Sequence, residues 1–293
     1  MYPNQINRRF LTLGIVLLIL GLAAGALWDL PIDQAVHSPA NRAAILMECF
    51  GFYPLYLPLL LLCASLSGDA ARPAPLRWGC GLGAAGIIGG LLWYSLSHLE
   101  KRGVEHSLLW TLGIWCVLLA LYGILRSMER THTDAWRRRE RFVLFWGSIY
   151  MVMNLALVNL LKWVWDRARF DDMLAAGDFS AFTSWLEPFG NGGSSFPSGH
   201  TAAACGVFVL VLLCDVWPAW HRRRTVIWAA CWAYVAGMAV SRLVMGRHFL
   251  SDTVAAAALM SALFLAMTRC RAYRRSLQQL GPAPQDPLDG PDN

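Results

Sequence analysis

The stretch that decides the fold is residues 142–163, FVLFWGSIYMVMNLALVNLLKW. Lys162, next to its end, is the only charged residue in this stretch. An α-helix of about 20 apolar residues crosses the ~30 Å hydrocarbon layer of a membrane. A continuous apolar run also favours a helix over the alternating strands of a membrane barrel. The stretch therefore predicts a transmembrane helix.

Seven further apolar segments of similar length lie on either side of this stretch. Hydrophobic residues make up 56% of the 293 residues and charged residues only 15%, a proportion of charge that is rare in soluble domains. The sequence predicts an all-α, polytopic helix bundle of eight transmembrane helices. The predicted helices are residues 10–28, 44–67, 78–97, 108–126, 142–163, 199–217, 225–242 and 252–268.

These helices are expected to form a single membrane-embedded domain, residues 1–280. Helices 1–4 occupy roughly residues 10–126, and the catalytic part occupies roughly residues 142–268. The first segment exceeds the usual length of a cleaved signal core, so we interpret it as a retained anchor. The tail, residues 281–293, is rich in Pro, Asp and Gly and is predicted to be disordered.

The placement of arginine predicts the orientation of the bundle. With eight helices, all five basic clusters fall on the same side, which should be the cytoplasmic side. The clusters are Arg8 and Arg9; Arg72 and Arg77; Arg126, Arg130, Arg137, Arg138, Arg139 and Arg141; Arg222, Arg223 and Arg224; and Arg269, Arg271, Arg274 and Arg275. We expect an integral protein of the plasma membrane, the inner membrane in a bacterium, with its longest outer loop at residues 164–198.

Several other classes of function are disfavoured by the sequence. The pI near 9.0 suggests nucleic acid, but the basic residues form short topological clusters without a binding motif. The eight cysteines form no CxxC pair, and no acidic cluster suits magnesium or calcium, so no metal and no cofactor are predicted. GxxxG spacings at Gly79, Gly83, Gly86 and Gly90 permit close helix packing, within the chain or in a homo-oligomer.

Three polar stretches lie on the predicted outer side, at or beside helix ends. They are Lys162 with Arg169; Pro197, Ser198, Gly199 and His200; and Ser241 and Arg242 with His248 and Asp252. Taken singly, each has an ordinary structural explanation, such as a lysine that extends to the interface or a serine that caps a helix. A carboxylate four residues after a histidine shares its helix face and can orient the imidazole.

The combination of these stretches indicates phosphoryl chemistry. It supplies three cations, two histidines, one carboxylate and the start of a helix, where free N–H groups bind anions. Phosphoryl transfer depends mainly on positioning and on stabilisation of negative charge. Ionisable groups at membrane depth are costly and by default suggest function.

The order and spacing of the three stretches resemble the signature of the phosphatidic acid phosphatase type 2 superfamily. The resemblance implies that His248 attacks phosphorus and forms a phosphohistidine, that Asp252 holds its ring, and that His200 protonates the leaving oxygen and then activates water. It also implies that phosphate is held by Lys162, Arg169, Ser198, Gly199 and Arg242.

Two departures from the family pattern stand out. Phe170 follows Arg169 where the motif usually has proline, and the loss of that rigid residue is expected to loosen Arg169 or shift substrate preference. Members of the family commonly have six spanning helices. Here the predicted helices 3 and 4 resemble an inserted hairpin, whose role the sequence does not indicate.

The function expected from the resemblance is a lipid phosphate phosphatase in contact with the bilayer. Its substrate is undecaprenyl pyrophosphate, phosphatidylglycerophosphate, phosphatidic acid or a lipid A phosphate; a faint resemblance to lipid A phosphatases lies around residues 167–185. The alternatives are a lipid-to-lipid phosphotransferase with the same intermediate, and a lipid-binding or transport protein without turnover. A haloperoxidase shares the motifs, but those enzymes are soluble.

Overall fold

The structure is a computed structural model that describes residues 8–104, 112–117, 119–120, 122–123, 133–190 and 192–281. Every regular element in these ranges is helical, which confirms the all-α class. The α-helices are α1 (Arg8–Val36), α2 (Arg42–Phe50), α3 (Leu57–Gly68), α4 (Ala74–Lys101), α5 (Asp134–Trp165), α6 (Phe170–Ala176), α7 (Gly199–Ala204), α8 (Leu213–Val216), α9 (Pro218–His221), α10 (Arg224–Val244), α11 (Leu250–Arg269) and α12 (Arg271–Gln279). Two 3-10 helices, Tyr53–Leu55 and Cys205–Leu212, precede α3 and join α7 to α8.

Six of the described helical stretches are long and apolar enough to cross a membrane, and the bent pair α2 and α3 brings the number to seven. The chain is an integral membrane protein. The main core lies where α5, the span Gly199–Val216, α10 and α11 meet. The predicted fourth helix is helical at residues 112–117, 119–120 and 122–123, and its remainder lies outside the described residues. The count of eight therefore stays a prediction, and residues 282–293 also lie outside the described part.

The prediction of one continuous helix over residues 44–67 is wrong. The chain bends by 49° between α2 and α3. Pro54 and Pro58 explain the break, because proline lacks the N–H that continues a helix and each of them lies in the first turn of a new helix. The intervening 3-10 turn lies directly against Gly206, where an added Cβ would be 2.4 Å from the backbone nitrogen of Leu55.

The first helix is longer than predicted. It extends eight residues beyond residue 28, about two further turns, so the expected outer loop 29–43 begins as helix. Gly21 and Gly25 let α1 approach α11 closely, since added Cβ atoms would lie 3.0 Å from Val254 Cγ2 and 2.7 Å from Ser251 Cβ. This approach buries Asp29.

Several basic clusters meet at one end of the bundle. Arg141, near the start of α5, donates to Asp69 after α3, with 2.8 Å between Nη1 and Oδ2. Arg224 at the start of α10 forms an ion pair with Asp215, and Tyr273 of α12 donates to the same carboxylate at 2.6 Å. These contacts place the segments that carry the arginines side by side, at the end opposite Lys162.

Candidate active site

The three motif stretches converge on the loop that precedes α7. Lys162, in the last turn of α5, donates from Nζ to the carbonyl oxygen of Ser194 at 2.5 Å. Arg169 donates from Nη2 to the Ser194 hydroxyl at 2.7 Å. The ring of His248, between α10 and α11, donates from Nδ1 to the carbonyl oxygen of Ser195 at 2.7 Å. The structure thus brings the first and third motifs together through Ser194 and Ser195, which the sequence analysis did not single out.

The second motif begins the next helix beside Lys162. Ser198 is the N-cap of α7, and its hydroxyl accepts a hydrogen bond from the Thr201 amide at 3.3 Å. Its own amide donates to the Asp252 carbonyl at 3.0 Å. An added Cβ at Gly199 would lie 3.5 Å from Lys162 Cε. The lysine therefore extends over the first turn of α7, as the predicted anion site requires.

His248 is buried and held in one orientation. Because a carbonyl oxygen can only accept, the bond to Ser195 assigns the proton to Nδ1 and leaves a lone pair on Nε2. Burial first, and then the charges of Lys162 and Arg169, lower the pKa of the imidazole to about 4 against the opposing effect of Asp252. The ring is consequently neutral at neutral pH, which is the form that a nitrogen nucleophile needs.

Asp252 does not bond directly to this ring. Its Oδ2 lies 3.8 Å from His248 Nδ1, beyond hydrogen-bond distance, so the expected direct contact is replaced by an indirect one. Asp252 instead accepts from the Ser195 hydroxyl at 2.5 Å and from the Phe249 amide at 2.9 Å. The carboxylate fixes Ser195, and the carbonyl of Ser195 fixes His248.

Asp252 is also bound by a buried arginine that was not among the predicted site residues. Arg167 is fully buried and donates to Asp252 Oδ1 at 2.6 Å and to Asp29 Oδ2 at 3.0 Å. Its guanidinium carbon lies 4.2 Å from the centre of the Phe249 ring, a cation–π contact. Asp29 in turn accepts from the Ser251 amide at 2.9 Å. Asp29 lies within α1, and an acid inside an apolar helix is a signal for such a site, but the predicted first helix ended at residue 28.

His200 faces a residue of the predicted insertion. Its Nε2 lies 3.1 Å from the hydroxyl oxygen of Tyr94 in α4. The Tyr94 ring stacks on His98, with 3.9 Å between ring centres and 19° between ring planes. The helix whose role the sequence left open therefore contributes a contact to one of the two motif histidines.

Arg242 is fully buried and already paired. Its Nη1 lies 3.3 Å from Glu48 Oε1, and its Nη2 donates to the carbonyl oxygen of Ala44 at 3.3 Å. Arg102 binds the same glutamate with two hydrogen bonds, of 2.8 and 3.1 Å. The two arginines and one carboxylate leave one excess positive charge next to α2.

Lys162 and Arg169 differ from Arg242 in this respect. Among the described residues, neither has a carboxylate within 4 Å. In addition, Arg169 Nε is buried and has no hydrogen-bond partner in the described part of the chain. Lys162 and Arg169 thus both contact Ser194. Their positive charges are not neutralised by a described carboxylate, and the N–H of Arg169 Nε is available to an anion.

The family model of the PAP2 superfamily matches residues 144–276. This match supports the phosphatidic acid phosphatase type 2 superfamily for the catalytic part of the chain, and with it a phosphatase-type activity on lipid phosphates. All eight residues predicted for the site lie inside the matched range. Asp29 and Tyr94 lie outside it. No curated protein and no solved structure gives a significant match to the chain.

Proposed function

We propose that the protein is a lipid phosphate phosphatase that works through a phosphohistidine at His248. The observation that carries the proposal is the position of His248, bonded through Nδ1 to Ser195, beside two cations on Ser194, Lys162 and Arg169, that have no carboxylate partner among the described residues. A phosphate group is the anion best suited to such a site, because guanidinium binds phosphate oxygens bidentately and lysine binds them as a point charge.

In the first step, the lone pair of His248 Nε2 attacks phosphorus while the bond to the lipid oxygen breaks. His200, in its protonated form, gives its proton to that oxygen, and the dephosphorylated lipid leaves. Protonation of the leaving group by a positioned side chain is general acid catalysis. Splitting the reaction through a covalent intermediate replaces one difficult displacement by two easier ones.

In the second step, water attacks the phosphohistidine. The now neutral His200 accepts a proton from the water, the bond between phosphorus and Nε2 breaks, and inorganic phosphate leaves with His248 restored. The Tyr94 hydroxyl lies 3.1 Å from His200 Nε2. We infer that Tyr94 orients His200 for both proton transfers.

Negative charge on the transferred group is offset by fixed cations. Lys162 and Arg169 contact the phosphate oxygens, together with the Ser198 hydroxyl and the Gly199 amide. Arg242 contributes the excess charge of its cluster with Glu48. Because these preorganised groups supply the charge stabilisation, the reaction is expected to need no divalent metal and to continue in excess EDTA.

Asp252 and Arg167 act through other residues in this proposal. The carboxylate holds Ser195, and the carbonyl of Ser195 keeps the proton of His248 on Nδ1. Arg167 keeps that carboxylate charged and in place from its buried side. Both are positioning residues, so their loss is expected to lower kcat more than substrate binding.

We also propose that the site faces the non-cytoplasmic side, which is the periplasm if the membrane is a bacterial inner membrane. The basic clusters support this orientation, because loops rich in arginine remain in the cytoplasm. Contacts such as Arg141 with Asp69 and Arg224 with Asp215 lie at the end of the bundle opposite Lys162.

The intermediate is the decisive test. The detergent-purified protein is incubated briefly with a lipid phosphate that carries radiolabelled phosphorus and is then quenched in alkaline detergent. Wild type is expected to carry label that acid removes, and His248→Ala is expected to carry none. His221→Ala is the matched control, because His221 is exposed and lies at the opposite end of the bundle. Label on His248→Ala, or loss of wild-type activity in EDTA, contradicts the mechanism.

A second variant separates the two steps. With 4-nitrophenyl phosphate, whose leaving group needs little protonation, His200→Ala is expected to form the phosphohistidine but to hydrolyse it slowly. Label should therefore accumulate above the wild-type level. Release of inorganic phosphate from a single purified lipid distinguishes this phosphatase from a lipid phosphotransferase, and lipid binding without phosphate release would indicate the non-catalytic alternative.

A further inference from the structure

A cavity of about 430 Å³ adjoins the proposed catalytic site. Lys162, Gly199 and His200 line one end of it, and the rest is lined by α4, α5 and the residues around the 3-10 turn after α2. Its volume lies in the range of ligand-binding cavities, roughly 300–1,000 Å³. The cavity is therefore large enough for part of a small molecule that reaches the motif residues.

The cavity is lined mainly by apolar side chains, and Lys162 and His200 lie at one end of it. The apolar walls are formed by Phe52, Ile87, Leu91, Leu155, Val158 and Ala203. Asn154 also lines the cavity, but its side-chain amide is occupied by the carbonyl oxygen of Ala202 at 2.8 Å. A cationic end and an apolar body match a molecule with an anionic head and a hydrocarbon chain.

The long axis of the cavity follows the helices. On α5 the lining runs from Lys162 back to Asn154, and on α4 it runs from Tyr94 back to Gly86. Each of these segments covers nine residues, and its ends are eight residue steps, or about 12 Å, apart at 1.5 Å per residue. The cavity thus extends from the phosphate end into the membrane-spanning part of the bundle.

Two glycines of α4 border the cavity. Gly86 and Gly90 line it, and a Cβ added to either would meet no described atom within 4 Å. Both are exposed, as is Asn159 of α5 opposite them, so the cavity opens sideways between α4 and α5. By contrast, Cβ atoms added at Gly25 would collide with the neighbouring helix. Within the described part of the chain, the GxxxG spacing of α4 therefore leaves space here and makes no close helix contact.

We infer that α4 forms one wall of a binding site for the hydrocarbon chain of the substrate, in which Gly86 and Gly90 set the chain length and bulk that fit. The inference rests on the proposed function and names its apolar specificity. Continuity with Lys162 and His200 identifies the occupant as the chain of the lipid whose phosphate is cleaved. The lateral opening gives a chain in the bilayer a route to the site.

The test replaces single glycines by leucine. Gly86→Leu and Gly90→Leu place a side chain in the cavity, whereas Gly89→Leu is the matched control. Gly89 does not line the cavity and lies on the same exposed face as Trp78 and Trp93. Leucine is a better helix former than glycine, so none of these changes weakens α4 itself. Phosphate release is measured in one detergent with phosphatidic acids of two chain lengths, four and sixteen carbons.

Gly90→Leu is expected to lower kcat/KM for the sixteen-carbon lipid by about tenfold or more, the scale of a steric misfit in an apolar pocket. The loss should be clearly smaller for the four-carbon lipid, so that the ratio of the two kcat/KM values changes, whereas Gly89→Leu should keep the wild-type ratio. Equal effects on the two chain lengths, or no effect of either cavity variant, would overturn the inference while leaving the phosphatase assignment intact. A wild-type protein that releases phosphate from neither lipid, nor from undecaprenyl pyrophosphate, phosphatidylglycerophosphate or a lipid A phosphate, overturns both.

Discussion

Phe170 occupies the position where the family motif usually has proline, and its replacement tests how Arg169 is held. Arg169 is the N-cap of α6, with φ −96° and ψ 152°, a conformation favoured for a residue that precedes proline. Phe170 is the first residue of the helix, where the N–H has no intrahelical partner and proline is well tolerated. The backbone is therefore already shaped for proline.

The side chain of Phe170 has a second role, which proline cannot fill. It is only 1% exposed and packs against Met173 and Phe249, with the His37 ring 5.3 Å away in an edge contact. Removal of a buried phenylalanine ring costs about 3–5 kcal/mol. Proline recovers about 0.4–1 kcal/mol by restricting the unfolded chain. We expect Phe170→Pro to lower the free energy of unfolding by about 2–4 kcal/mol and Phe170→Ala by about 3–5 kcal/mol.

Denaturant unfolding in detergent, followed by tryptophan fluorescence, measures the three proteins side by side. The proline and alanine variants both lose the ring, so the difference between them reports the backbone alone. A proline variant less stable than the alanine variant would refute the argument that the backbone suits proline. A proline variant as stable as wild type would show that the ring stabilises nothing. Phosphate release should persist in folded Phe170→Pro, and its complete loss would place Arg169 differently from the family pattern.

Three further predictions concern acidity, the buried ion pairs and topology. Only neutral imidazole is nucleophilic, and burial holds the pKa of His248 near 4. The rate of phosphoenzyme formation should therefore fall as the pH drops through about 4, and not near the ordinary histidine pKa of about 6.5. A rapid-quench series over pH measures this rate, and a fall near pH 6.5 contradicts the prediction. Arg167→Met leaves two buried carboxylates without their cation and should cost about 3–5 kcal/mol in detergent unfolding, part of which Asp29→Asn in the same chain should restore; equal stability of the single and double variants would refute the pairing. In a cysteine-free background, a membrane-impermeant thiol reagent added from outside should label a cysteine at Ala175 and miss one at Arg138, and labelling at Arg138 would reverse the proposed orientation.

Local patterns in the sequence predicted the spans well and their ends less well. Residues 142–163 form the centre of α5 because an apolar run in lipid must satisfy its backbone internally. The break at Pro54 and Pro58 was missed because the segments on both sides of it are apolar. Hydropathy therefore stays high across the bend and gives no sign of it. The extension of α1 to Val36 was missed because Asp29 and Asp33 resemble loop residues, whereas both are buried and Asp29 is paired with Arg167.

The sequence by itself determined which residues belong to the candidate site. The spacing of the three motifs identified Lys162, His200 and His248, and the structure brings the three motif stretches together at one end of the bundle. This was possible because the motif residues occupy helix ends, whose side of the membrane follows from the count of spans and the arginines between them.

Only the tertiary structure decided what holds and shapes the site. Asp29 meets Arg167 across 138 positions of sequence, and Tyr94 meets His200 across 106. Such contacts depend on which faces of the helices pack together. The periodicity of hydrophobic residues within one helix does not identify the helix that packs against it. The same packing turned Gly90 from an expected helix contact into part of a cavity wall. Inside a membrane a buried charge or an open groove is specified by its neighbours in space, and those neighbours come from helices far apart in the chain.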